Sequence, residues 1–271
     1  MIPWPDPGGG HRYHRRVSEP PDGVVVPDAE GHGRATTVLV AVCGVAIAAG
    51  FVLRFVASTP MWLDEALSVE IASLSPGDLV EALRRDGHPP LYYLLLHAWM
   101  QVVGTSDVAV RALSGLFAAA ALVPLWLLAR RRGGRDLAVV AVAMFAMSPF
   151  AVRYATEARM YSLVMLEVLV AAVLIDSLLS PMSGDPSVAA GRRAERTGGG
   201  RWPRLAGVAL LSGSVALTHY WGIFVVVATV LVLAVVSWRC DGEPTRRSVV
   251  EVMAALAAGG VLFVPWLGTF L

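Results

Sequence analysis

The chain has 271 residues, 56% of them hydrophobic and only 16% charged, and its mean hydropathy is +0.61. Soluble domains are about 45–50% apolar and about 25% charged, so both departures exclude a water-soluble enzyme, a disordered protein and a nucleic-acid binder. The formal net charge is +1 and all 22 basic residues are arginine, so no single-sign field calls for a polyanionic partner. Cys43 lies in an apolar run and Cys240 in a basic loop, which reads as two free thiols rather than a disulfide framework.

Residues 1–35 are rich in proline, glycine and charge and lack an apolar run. This composition predicts a disordered cytoplasmic tail rather than a signal peptide. A membrane-crossing helix needs about 20 mostly apolar residues. Seven stretches meet or approach that length: Thr36–Ala57, Val108–Ala129, Asp136–Val152, Met160–Leu179, Leu205–Thr218, Trp221–Trp238 and Ser248–Leu271. The fifth is short and must borrow flanking residues. An eighth, Leu91–Val103, reaches only about 20 Å at the helical rise.

Charge fixes the direction. Cytoplasmic loops carry an excess of arginine and lysine, and arginines cluster at 12–34, 130–135, 192–204 and 239–247. All four clusters share one side only if Leu91–Val103 does not cross. The expectation is an all-α integral membrane protein with about seven spans and a cytoplasmic N-terminus. Residues 36–271 would form one transmembrane module, with juxtamembrane or re-entrant helices in a first extracytoplasmic loop, 58–106, and a flexible cytoplasmic loop over 181–204.

The first outer loop is acidic and reads as structured. Thr59-Pro60 and Ser75-Pro76-Gly77-Asp78 both look like helix starts, with an N-cap hydroxyl and proline at the first helical position. Leu63, Leu67, Ile71 and Leu74 then form an apolar stripe, which lays this helix flat at the interface and holds Asp64 near the lipid–water boundary. An acidic loop can simply be solvated, and Glu70, Asp78 and Glu81 fit that reading. The pair Asp64-Glu65, directly behind Pro60 and Trp62, is not needed for solubility and is the first catalytic candidate.

The second outer turn runs from Arg153 to Tyr161. Arg153, Glu157 and Tyr161 fall on one helical face, and an i,i+4 ion pair explains two of them. Arg159 is then unexplained, and its planar fork of donors suits a phosphate. The third turn carries His219 among the aromatics Tyr220 and Trp221, themselves ordinary for a membrane boundary. His88, before Pro89-Pro90, and His219 are hydrogen-bond or metal-ligand candidates. Glu167 lies inside the fourth span, where a carboxylate is costly and needs a partner or a role; Asp176 lies near that span's cytoplasmic end.

Several stretches, taken in order, resemble the polyprenyl-phosphate-sugar-dependent glycosyltransferases of the GT-C superfamily. They are Trp62-Leu63-Asp64-Glu65, Gly87-His88-Pro89-Pro90-Leu91-Tyr92-Tyr93, Ala109-Val110-Arg111-Ala112-Leu113-Ser114, Ser148-Pro149-Phe150, Tyr154 to Tyr161 and Pro265-Trp266. The chain is similar to the bacterial multi-pass branch related to protein O-mannosyltransferases and the lipid A aminoarabinose transferase. This resemblance implies a sugar, mannose-like, carried on a polyprenyl phosphate in the bilayer and passed with inversion to a hydroxyl of a glycan, lipid or protein. It implies a bacterial plasma (inner) membrane protein acting on the extracytoplasmic side. It also implies a catalytic base in the first outer loop, at Asp64 with Glu65 beside it, and a second polar cluster at Glu157 and Arg159.

Donor-site candidates around that pair are Arg159, Glu157, His88, Arg153, Tyr161 and His219. No cofactor is demanded; a divalent metal, used by some members, would look to His88, Glu157 or His219. Members usually continue beyond this length, so a chain ending at Leu271 reads as a truncated or minimal one. The competing readings are a transporter or flippase, which would gather polar groups at mid-membrane, and a non-catalytic lipid-binding module.

Overall fold

A computed structural model of the chain describes residues 29–56, 60–179, 200–239 and 243–270. The expected disordered tail up to residue 28 and most of the expected 181–204 loop lie outside the described residues, as do Cys240 and the arginines at 12, 15, 16, 192, 193 and 196. Every described element is helical: α1 (Ala29–Leu53), α2 (Leu63–Ala72), α3 (Pro76–Asp86), α4 (Leu91–Val103), α5 (Asp107–Ala120), α6 (Leu122–Ala146), α7 (Pro149–Ala155), α8 (Tyr161–Leu179), α9 (Arg201–Thr218), α10 (Trp221–Arg239), α11 (Glu243–Gly259), a 3-10 segment (Gly260–Trp266) and α12 (Leu267–Phe270). The protein is an all-α membrane protein. Residues 1–39 and 40–271 form two compact units, and the description that follows concerns the second.

Among the described residues, four stretches are long and apolar enough to cross a bilayer: Asp107–Ala146, Tyr161–Leu179, Trp221–Arg239 and Arg246–Thr269. Thr37–Leu53 and Leu91–Val103 are shorter apolar helices. The first stretch is bent back on itself. Gly133 leaves the helical region and Gly134 adopts φ 76°, a conformation open to glycine without a Cβ clash. The turn falls inside the Arg130–Arg135 cluster, where the charge pattern puts it.

One expected span is corrected. Asp136–Val152 is interrupted at Met147, because Ser148 caps a new helix beginning at Pro149; its hydroxyl accepts from the Ala151 amide at 3.5 Å. The same Ser-Pro signal that starts α3 therefore ends the previous helix here. The last expected span, Ser248–Leu271, coincides with the long apolar stretch Arg246–Thr269, although its helix changes to 3-10 geometry at Gly260 and contains Pro265, whose missing N–H cannot continue an α-helical ladder. The helix expected to begin at Thr59-Pro60 starts instead at Leu63, with Trp62 as N-cap, whereas Ser75-Pro76 starts α3 as expected.

Side-chain pairs give the helices a common set of ends. At one end, Arg131 and Arg132 of α6 meet Asp176 of α8, and Arg201 of α9 meets Glu251 of α11. At the other lie α2, α3, α4, α7 and the turns at 156–160 and 219–220. There Ala72, Tyr92, Leu96, Val110, Ala158 and Met160 form one buried core. Ile71, Leu79, Leu83, Tyr93, Phe263 and Trp266 form a second. The short α4 is thereby wedged between α2 and α3 on one side and the main helices on the other. Arg54, after the last turn of α1, is almost wholly buried and donates to the carbonyls of Gly50 (2.6 Å), Ala146 (2.8 Å) and Phe145 (3.2 Å). This charge-assisted clamp satisfies the carbonyls that the ends of α1 and α6 leave open.

Close backbone approach is the rule where main helices cross. A Cβ on Gly213 of α9 would lie 2.5 Å from the Gly259 carbonyl oxygen of α11, and one on Gly259 would lie 2.2 Å from that of Ala209. Small residues let membrane helices pack this tightly without a hydrophobic driving force between them. Gly213→Leu is therefore expected to cost about 1–3 kcal/mol or more, seen as a lower melting temperature and loss of the monodisperse peak in detergent. Gly44→Leu, where a Cβ meets nothing within 4 Å, should leave both unchanged.

Candidate active site

The functional candidates sit where α2, α5, α8 and the 156–160 turn converge. The anchor is Glu65. Its Oε1 accepts from Arg111 Nε at 2.8 Å and from the Ala158 amide at 2.9 Å, and its Oε2 from Arg111 Nη2 at 2.7 Å. Oε2 also accepts, at 3.4 Å, from the Trp62 amide, as a glutamate three residues into a helix does in a capping box. Glu65 is 1% exposed and Arg111 5%. Burial alone would push the Glu65 carboxyl up; the bidentate guanidinium and the Ala158 amide outweigh it and hold the group below the usual carboxylate range. Glu65, the partner candidate for base, is thus fully engaged in joining α2 to α5 and to the second outer turn.

Asp64 is the opposite case. It points away from that pair, with its side chain 48% exposed, and its Oδ2 lies 3.6 Å from Arg159 Nη2. Arg159 is itself largely buried. It donates to the Asp64 carbonyl at 3.2 Å and to Ser68 Oγ at 3.5 Å, while its Nε is buried without a partner. Its guanidinium lies 5.9 Å from the centroid of Tyr161. Tyr161 in turn faces Tyr154 at 4.6 Å and His219 at 5.8 Å between ring centroids. Burial first, then the neighbouring His88 and Arg159, hold the His219 imidazole below its usual range.

Asp64, Arg159, Tyr161 and His219, drawn from three separate stretches of the chain, are therefore linked by one run of contacts. Glu157 and Arg153 are paired with each other at 2.9 Å, the i,i+4 bond that the spacing allows. Arg153 also lies 5.9 Å from the Trp62 ring. His88 contacts Asp86 and the edge of Tyr93. His88, Glu157 and His219 do not assemble as a ligand set: among the described residues no three His, Cys, Asp or Glu side chains gather as a metal ion requires.

Three buried polar groups escaped the sequence reading. Arg111 lies in a motif stretch but carried no role. Ser114 Oγ donates to the Arg159 carbonyl at 3.0 Å and is 3.0 Å from Tyr92 Oη, which fixes the turn from beneath. Ser68 supports Arg159. The signal for Arg111 was available: an arginine inside an apolar helix needs a carboxylate, and Glu65 stands next to the proposed base.

Removing one partner of the Glu65–Arg111 pair strands a buried charge. Arg111→Met is expected to cost about 3–5 kcal/mol, with Glu65→Gln/Arg111→Met together costing less. The pH dependence has a definite sign. A carboxyl depressed in the fold adds stability that is present above the unfolded value of about 4.3 and is lost as pH falls through the folded value. The melting temperatures of the parent and of Glu65→Gln should therefore converge below about pH 4 and diverge above it.

Residues 87–180 match the dolichyl-phosphate-mannose-protein mannosyltransferase family. The match spans His88, Arg111, Arg153, Glu157, Arg159 and Tyr161, and stops short of Asp64 and His219 on either side. No curated protein and no solved structure matches the chain. The matched segment is about a third of the chain; it covers the motif stretches at 87–93, 109–114, 148–150 and 154–161 and leaves those at 62–65 and 265–266 outside.

Proposed function

We propose that the protein transfers a mannose-like sugar from a polyprenyl phosphate to an acceptor hydroxyl at the mouth formed by Asp64, Arg159, Tyr161 and His219. The observation that carries this reading is the pairing of an exposed carboxylate with a buried guanidinium. Asp64 is open to an incoming hydroxyl, and Arg159 is held behind it by Ser68 and the α2 backbone. The acceptor oxygen attacks the anomeric carbon as its proton passes to Asp64. The bond to the phosphate oxygen breaks, and the polyprenyl phosphate leaves with its charge against Arg159. A preorganised cation in a site of low dielectric stabilises charge that develops in the transition state. One nucleophile displacing one leaving group from the opposite face inverts the anomeric centre.

Tyr161, with Tyr154 and His219, offers an apolar face and hydrogen-bonding tips to the sugar. Glu65 and Arg111 position Asp64, and Glu157 orients Arg153 at the rim. The exposed apolar residues Leu63 and Leu67 of α2 bring this mouth to the bilayer surface, so that the donor's tail stays in lipid. The reading includes a cytoplasmic N-terminus, which the arginine clusters favour, and an extracytoplasmic site in a bacterial inner membrane, which the resemblance implies.

Purified protein incubated with labelled polyprenyl-phospho-mannose and membrane extract should yield a labelled glycosylated product. Asp64→Asn is expected to lower the rate by about 10²–10⁴ with an unchanged melting curve, and Arg159→Gln by about 10²–10³. Full turnover in Asp64→Asn would remove the base. Movement of lipid or sugar across proteoliposomes without bond formation would favour a transporter. In cells, single cysteines at 64 and 157 should react with an impermeant reagent added outside, and one at 131 should not.

A further inference from the structure

A second site lies at the opposite end of the helices from Asp64. A cavity of about 900 Å³ runs along α8 from Glu167 to Leu179. At 1.5 Å per residue this is roughly 18 Å of depth. Its floor is α8 and α9, through Val168, Ala171, Ala172 and Leu211. One wall is α6, at Leu128, and the other is α10, at Val225 and Thr229. The closed end is polar: Glu167 accepts from Ser214 and, at 3.1 Å, from Thr218, while its Oε2 is buried with no partner.

The far end is strongly basic. Arg131, Arg132 and Arg204 line it together with a single acid, Asp176. Asp176 is 3% exposed at its side chain and receives Arg132 Nε at 3.0 Å and Arg131 Nη1 at 3.5 Å; Arg131 Nη1 also donates to the Val173 carbonyl at 3.1 Å. The arginine side chains remain 39% and 67% exposed, and each guanidinium has five donors in a fork that fits phosphate oxygens. Among the described residues, the two exposed guanidinium groups of Arg131 and Arg132 outnumber the one buried carboxylate, which leaves net positive charge at the mouth of an apolar slot. Asp176 thus sets the forks without neutralising them.

We propose that this cavity binds a phospholipid with an anionic headgroup, its phosphate against Arg131, Arg132 and Arg204 and an acyl chain laid along Ala171 and Ala172 toward Glu167. Basic pockets between membrane helices at their arginine-rich ends select such headgroups, and the volume lies in the range of sites that take a lipid-sized ligand. This site is separate from the transfer mouth and does not depend on the proposed reaction.

The test is native mass spectrometry of the delipidated protein in detergent, with phosphatidylglycerol, phosphatidylcholine or polyprenyl phosphate added in turn. Phosphatidylglycerol is expected to bind about tenfold more tightly than phosphatidylcholine, the scale of one or two surface arginines. Arg132→Gln should erase that preference, and Ala172→Phe, which fills the slot and leaves every arginine in place, should weaken phosphatidylglycerol while preserving the fold. Arg246→Gln, at the same end but outside the cavity, should change nothing. Equal binding of the two phospholipids, or a preference that survives both Arg132→Gln and Ala172→Phe, overturns the proposal. Polyprenyl phosphate outcompeting phosphatidylglycerol at this site would assign the cavity to a different lipid.

Discussion

The pairing of Glu65 with Arg111 is the constraint on which the transfer mouth depends. Both groups are removed from solvent, a placement that costs several kcal/mol per ion unless the geometry is good and the remaining lone pairs are filled. Here the fork is bidentate, and the backbone amides of Trp62 and Ala158 supply further bonds. The Ala158 bond brings the 156–160 turn onto α2, so a contact made for electrostatic reasons determines that residues 64 and 159 face each other. Ser114 and Tyr92 complete the support from α5 and α4. A carboxylate adjacent to the proposed base therefore acts as its foundation, and Asp64 is left exposed beside Arg159.

Much of this was legible in the sequence because the bilayer imposes simple rules. Apolar length and arginine bias located the main helices and the reversal at Gly133-Gly134, and the Ser75-Pro76 cap located α3. The misses share a cause. Met147-Ser148 sits inside an apolar run, so hydropathy carries through a break that the local Ser-Pro capping chemistry creates. The Trp62 start of α2 is decided by Glu65 reaching back to the backbone, a long side chain serving two partners, which spacing alone does not show.

The site was half legible for the same reason. Residue type marked Asp64, Arg159, Tyr161 and His219, whose chemistry is unusual for a membrane boundary. The need of Arg111 for a carboxylate was legible, but that Glu65 supplies it was not, because the contact spans 46 residues. Arg153 and Glu157, the one pair read from helical periodicity, proved to be that pair. Glu167, costly at its depth, found its partners on α9 through Ser214 and Thr218, and its second oxygen faces a cavity that no pattern in the chain announces.

The two charged ends of the molecule use the same ingredients in inverse order. At the Asp64 end the guanidinium is the buried member and the carboxylate the exposed one; at the Asp176 end the carboxylate is buried and the guanidinium groups are exposed. The buried member is costly to uncover and so fixes the position of its partner, while the exposed member meets whatever arrives. An exposed carboxylate backed by a fixed cation can take a proton from a hydroxyl and hold an anion behind it. Exposed guanidinium groups backed by a fixed carboxylate can only hold an anion. The proposed chemistry and the proposed retention of a charged lipid thus differ in which partner of each ion pair the helices enclose.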